Sequence, residues 1–116
     1  MLVDVDESAL MAAVSDIGEE NAAYSVADVT DSDQTAAYVA ATVEKFGGVD
    51  IALLNAGIEG QIKSIVDYPD EMFDQVIAVN VKGVFLGLKA IMPELDKRGG
   101  GSIVTVSYTH LTLPTT

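Results

Sequence analysis

The sequence predicts an α/β fold built on a parallel sheet, and three observations carry that prediction. Short apolar or β-branched runs alternate with helical patterns as far as Ser107, the order that parallel strands and their crossover helices require. The run Ile51-Ala52-Leu53-Leu54 is apolar throughout and lies between Gly47-Gly48 and Gly57, as expected of a strand buried on both faces. Glycines stand where helical patterns stop, at Gly18, Gly47-Gly48 and Gly99-Gly100-Gly101.

Taken in order, Met1–Val5 is a short apolar run broken by Asp4 and reads as the end of a strand. Asp6 is placed to cap the first helix, with Glu7 in its first turn where an acid suits the helix dipole. Ala9, Leu10, Ala13, Val14 and Ile17 fall on one face of that helix. A second strand is expected within Asn21–Ala27, ending at Asp28-Val29. Thr30 is the expected cap of the second helix, with Asp33 at the capping-box position and Ala36, Val39, Ala40, Val43 and Phe46 on its buried face. A strand over Asp50–Asn55 follows, then a loop over residues 59–68, then Pro69 in the first turn of the next helix. The pattern stays helical from Asp70 to Lys97, with Phe73, Val76, Ile77, Val84, Leu88, Ile91 and Leu95 apolar. A break or kink is expected near Asn80–Gly83, and distortion at Pro93. The β-branched run Ser102–Ser107 is the fourth strand. Tyr108–Thr116 has neither a helical face nor clean alternation and looks like translated adapter sequence.

Composition narrows the function classes. The 116 residues suffice for one modest domain and are few for a complete α/β enzyme. With 49% hydrophobic and 21% charged residues the chain is globular. No apolar run of membrane-spanning length and no basic leader stand out, so no membrane partner is expected. Cysteine is absent, which excludes disulfides and thiolate metal sites and fits the cytoplasm; no metal site is expected. Eighteen acids against six Lys and Arg give a net charge of -12, a surface that repels nucleic-acid backbones.

The candidate site lies just beyond the strands. Asn55 ends an apolar strand, and Gly57 lets the backbone turn or approach a ligand, where open α/β sheets gather their ligands. A plain strand-to-loop turn is the alternative. Asp4 after an apolar run, Asp28-Val29, Asn55-Ala56-Gly57, and Asn80 in Val79-Asn80-Val81-Lys82-Gly83 then follow one another, ahead of the Gly101–Ser107 strand. In that order they resemble the successive signatures of the short-chain dehydrogenase/reductase family, over Met1–Ser107.

The resemblance implies a partial Rossmann-like, doubly wound parallel sheet of about four strands. The family's strand order is 3-2-1-4-5, and the first strand would be the missing one. Met1–Val5 would then pair with Ala23–Ala27, and Asp50–Asn55 with Ser102–Ser107. It also implies an NAD cofactor. Asp4 would accept the adenosine ribose hydroxyls and repel a 2′-phosphate, Asp28 would accept the adenine amino group, and Val29 would wall the base. Asn55, Ala56 and Gly57 would pack on the adenosine side, although Leu54 replaces the first residue of the family's Asn-Asn-Ala-Gly. Asn80 would hold a proton-relay water on its backbone carbonyl. Each has a structural alternative: a helix cap for Asp4, a solvated acidic turn for Asp28, a helix kink for Asn80.

The family's Gly-rich turn and its Tyr and Lys acid/base pair have no counterpart here. Ser107 neighbours the catalytic serine position, where Tyr108 stands, and His110 is expected to be idle. Residues 1–107 are therefore expected to be part of a dinucleotide-binding domain, an internal piece inactive alone, and 108–116 a foreign tail. The whole enzyme would exchange hydride between nicotinamide and a small alcohol or ketone, as a homo-oligomer. Two rivals stand beside this: a phospho-acceptor receiver domain, which would need an acid where Asn55 stands, and a non-catalytic Rossmann-like module.

Overall fold

The structure, a computed structural model, describes residues 1–106. Strand β1 (Leu2–Asp4) leads into helix α1 (Glu7–Ile17), strand β2 (Tyr24–Val26) into helix α2 (Ser32–Phe46), and strand β3 (Ile51–Leu54) into a 3₁₀ turn at Ile65–Asp67. Helix α3 (Asp70–Ile77) continues through a π-helical turn (Ala78–Lys82) into helix α4 (Gly83–Lys97), and strand β4 (Ser102–Thr105) follows. The expected Ser107 end of β4 and the tail 108–116, with Tyr108 and His110, lie outside the described residues.

All strand pairing is parallel. β1 pairs with β2 from Leu2 opposite Tyr24 to Asp4 opposite Val26, and β3 with β4 from Ile51 opposite Ser102 to Leu54 opposite Thr105. These are the two pairs expected, and they form separate two-stranded sheets. Right-handed crossovers place α1 on one face and α2 and α4 on the other, because the chain steps one way from β1 to β2 and the opposite way thereafter. The packing agrees: α1 lies on β1 and β2, while α2 and α4 lie against each other.

Local chemistry sets the boundaries. The Asp6 carboxylate accepts from the Ala9 amide and caps α1. Gly47 closes α2 in a left-handed conformation, φ 85°, donating its amide to Val43. At the start of α2 the expectation was wrong. Asp31, not Thr30, is the cap, accepting from the Gln34 amide at 2.9 Å. A carboxylate one residue later reaches the free amides of the first turn better than the Thr30 hydroxyl, which is already committed to Asp28.

The buried faces also differ from the pattern. In α2 the inward residues are Thr35, Tyr38 and Val39, whereas Ala36, Ala40 and Phe46 are exposed. The helix is turned so that the tyrosine, with far more apolar surface than an alanine, faces inward. In α1, Leu10 and Val14 are buried but Ala9 and Ile17 are not. β3 is covered on one face only: Ala52 is 9% exposed, while Ile51 and Leu53 remain 73% and 63% exposed. Both helices packed beside β3 lie on its Ala52 face, so nothing described covers the other.

The expected break near Asn80 is a π turn that lets the helix run on, and α4 continues through Pro93 to Lys97. The loop 59–68 contains the 3₁₀ turn. The reading that no run reaches membrane-spanning length needs correction. The 28-residue helical stretch Asp70–Lys97 holds an 18-residue window of mean hydropathy 1.6. Leu86, Ile91 and Leu95 are buried from that stretch into the core, while Phe73, Val81, Phe85 and Met92 face outward. The core joins Ala27, Tyr38, Val39, Val49, Ala52, Ile91 and Leu95.

Ile91 is 4% exposed and its neighbour Met92 is 53% exposed, so the two give a matched pair. Ile91→Ala is expected to lower unfolding free energy by about 2–5 kcal/mol. Met92→Ala is expected to change it by no more than about 0.5 kcal/mol, both read from urea denaturation.

Candidate functional site

The carboxyl ends of β1 and β3 converge on a small pocket of about 140 Å³. Asp4 and Val3 form one side, Leu53, Leu54, Asn55 and Ala56 a second, and Val29 with Val79, Gly83 and Val84 a third. Four predicted site residues therefore meet here: Asp4, Val29, Asn55 and Ala56. Its walls are mostly aliphatic, with one carboxylate and one amide at the strand ends. That combination suits a flat, partly apolar group carrying hydroxyls.

Asp4 is exposed and oriented by its own turn, since its Oδ1 accepts from the Asp6 amide at 3.0 Å. Its other oxygen makes no hydrogen bond within the described residues. The cap role falls to Asp6, as expected, and Asp4 does not cap the helix.

Asp28 does not line the pocket but precedes Val29, which does. One of its oxygens accepts from both the Thr30 amide (2.9 Å) and the Thr30 hydroxyl (2.7 Å). The amide and then the hydroxyl hold its carboxyl below the usual carboxylate range, because both bonds favour the charged form. Its own amide donates to Gln34 Oε1 at 2.7 Å, which ties the acidic turn to the first turn of α2. Gln34 and Thr30 were missed as supports. A Gln three residues after a capping Asp was the available signal.

Asn80 and Gly57 are brought together on the far side of the Asn55 turn. The Asn80 carboxamide accepts from the Ile58 amide at 2.8 Å and donates to the Ile58 carbonyl at 2.9 Å. A Cβ on Gly57 would lie 3.4 Å from Asn80 Oδ1, so the Gly57 backbone sits against the clasp at van der Waals distance. The π turn supplies the conformation that aims Asn80 at this loop. Gly83 is a further missed position: a Cβ there would come within 2.9 Å of Val29, so glycine lets α4 pass the pocket wall. Among the described residues no cluster of His, Cys, Asp and Glu could hold a metal ion.

Comparison with known proteins places the chain in a family. The family model for short chain dehydrogenases matches residues 1–113. Levodione reductase of Leifsonia aquatica is 37% identical over 110 residues, covering 91% of this chain and 41% of that protein. The 2-(R)-hydroxypropyl-CoM dehydrogenase of Xanthobacter autotrophicus is 45% identical over 83 residues, 70% of this chain and 33% of that protein. The crystal structure of levodione reductase superposes with a TM-score of 0.84 over 90% of this chain and 42% of that one. NAD+-bound xylitol dehydrogenase does so at 0.81 with 31% identity, over 90% of this chain and 41% of that one. This chain thus spans about two fifths of the length of these solved relatives. The match displaces the receiver-domain alternative.

Two outcomes test the geometry. Asn80→Leu keeps the side-chain size but removes both bonds, so amide exchange at Ile58 should quicken by about tenfold, as loss of one or two hydrogen bonds implies. Thr30→Val removes the hydroxyl donor, so an NMR titration should find the Asp28 carboxyl moved up toward its ordinary value. A depressed carboxyl stabilises the fold above the unfolded-state value and loses that contribution as pH falls through the folded one. Thr30→Val should therefore narrow the acid limb of the stability profile.

The α/β architecture, the family-model match and the curated dehydrogenases and reductases agree: the chain belongs to the short-chain dehydrogenase/reductase family.

Proposed function

We propose that the whole protein to which this sequence belongs is an NAD-dependent oxidoreductase acting on a small secondary alcohol or ketone. Residues 1–106 supply the adenosine half of its cofactor site. The observation that carries the reading is the pocket where the carboxyl ends of β1 and β3 converge, aliphatic within and edged by the Asp4 carboxylate.

The residues fit that half of the cofactor. Asp4 offers a carboxylate held by the Asp6 amide, which leaves its second oxygen able to accept from the ribose hydroxyls. The same negative charge disfavours a 2′-phosphate, and no Lys or Arg lines the pocket to offset it. Val29, Val79 and Val84 give the base an apolar wall. Asp28 keeps one oxygen free to accept the adenine amino group. Asn80 fixes the Ile58 backbone, and through it the turn Asn55–Gly57, against the cofactor side of the sheet. When bound, nicotinamide supplies the hydride acceptor or donor. The relatives' names, a 2-(R)-hydroxypropyl-CoM dehydrogenase and a levodione reductase, support an alcohol or carbonyl substrate. The proposal extends to a cytoplasmic homo-oligomer with no nucleic-acid or membrane partner.

Cofactor choice is the test. In the whole protein, Asp4→Ala is expected to raise KM for NAD by about tenfold, the loss of a charged hydrogen-bond acceptor, and to narrow the preference for NAD over NADP. Steady-state kinetics with both cofactors reads this directly. An unchanged preference would remove Asp4 from the site and the NAD assignment with it.

A further inference from the structure

The turn from Asp28 to Asp31 is held more tightly than the capping of α2 requires. Asp31 is the cap, and its Oδ1 accepts from the Gln34 amide at 2.9 Å. Gln34 is the third residue of that helix, where a capping-box side chain would return to the amide of the cap. Here that amide is already used, because Asp31 donates to the Asp28 carbonyl at 3.1 Å. The Gln34 carboxamide instead reaches beyond the cap, and its Oε1 accepts from the Asp28 amide at 2.7 Å. None of the free amides of the first turn of α2 is satisfied by this bond. What the bond does is place Asp28.

With it, every polar group of Asp28 but one is committed within the described residues. The amide goes to Gln34, the carbonyl accepts from Asp31, and Oδ1 accepts from both the amide and the hydroxyl of Thr30. The remaining oxygen, Oδ2, belongs to an ionised carboxyl and can only accept. Packing fixes the next residue of the turn. Val29 lines the pocket, and a Cβ on Gly83 would come within 2.9 Å of it.

On the basis of the cofactor reading above, we infer that Gln34 is a positioning residue for the purine. It holds Asp28 so that the one uncommitted oxygen accepts the 6-amino group of adenine. An acceptor that cannot donate favours a 6-amino purine and repels a 6-oxo one. That selection needs the carboxylate to be held, because a freely rotating one turns away from a 6-oxo group at little cost.

The test compares NAD with nicotinamide hypoxanthine dinucleotide, which carries oxygen in place of the 6-amino group, by calorimetric titration of the whole protein. The parent is expected to bind NAD at least about tenfold more tightly, as a hydrogen bond to a charged group implies. Gln34→Met keeps side-chain length and helix propensity but has no carboxamide oxygen. It should cut that ratio by at least about threefold and, without ligand, quicken amide exchange at Asp28 by about tenfold. Gln34→Glu retains an acceptor oxygen and should keep the ratio within about twofold of the parent. Asp28→Asn should reverse the preference, because its amide oxygen stays with Thr30 and its NH2 replaces the free acceptor with a donor. If Asp28→Asn reverses the preference while Gln34→Met keeps the parent ratio, even with both affinities lowered, this inference alone is overturned. If Asp28→Asn leaves the ratio unchanged, the inference falls together with the adenine role of Asp28. Unaltered exchange at Asp28 in Gln34→Met, or a Gln34→Glu ratio as low as that of Gln34→Met, overturns it as well.

Discussion

Side-chain packing between α2 and α4 holds this molecule in one piece. Among the described residues no hydrogen bond crosses from the β1–β2 pair to the β3–β4 pair, so neither sheet recognises the other through its backbone. What joins them is the cluster of Tyr38 and Val39 on α2 with Ile91 and Leu95 on α4, closed by Ala27, Val49 and Ala52. Gly87 makes this approach possible, since a Cβ there would lie 3.0 Å from Leu54 and 3.4 Å from the Tyr38 hydroxyl. The small pocket at the strand ends depends on that packing, because its walls come from both pairs. Loosening α2 from α4 would separate Asp4 from Asn55 without altering either residue.

This dependence explains which parts of the fold were legible in the sequence. Strand and helix order follows from local periodicity, and the caps at Asp6 and Gly47 follow from side-chain reach and backbone φ. Which helical face turns inward is decided by what it meets. Ala36 and Ala40 fit an inward pattern as well as Tyr38 does, until α4 supplies the surface on which a tyrosine gains more contact. Within residues 1–106 the apolar run Ile51–Leu54 is covered on its Ala52 face alone. An apolar run encodes the capacity to be covered on both faces, and only the tertiary arrangement decides whether both are covered.

The site was legible to a different degree. Asp4, Val29, Asn55 and Ala56 were named from the sequence and do meet in one pocket. Asn80 and Gly57 were named too, but their relation was not, because a π turn has no sequence signature and the clasp spans 22 positions. Thr30 was assigned to the helix and instead serves Asp28, a contest between two neighbouring carboxylates that spacing alone does not resolve.

The two acids of the site share one design. Each spends one oxygen on its own local backbone, Asp4 on the Asp6 amide and Asp28 on Thr30, and keeps the other free. A carboxylate fixed in this way has already lost most of its rotamer freedom before a ligand arrives, so less ordering entropy opposes binding. At Asp28 the Thr30 amide and hydroxyl also favour the ionised form and lower its pKa. Both effects matter most at exposed positions, where water competes for every hydrogen bond and a freely rotating acid would gain little from any single contact. The placing of these carboxylates therefore rests on the turns that hold them, each fixed within a few residues of sequence. Packing brings the two turns to one pocket; their internal hydrogen bonds decide what that pocket presents.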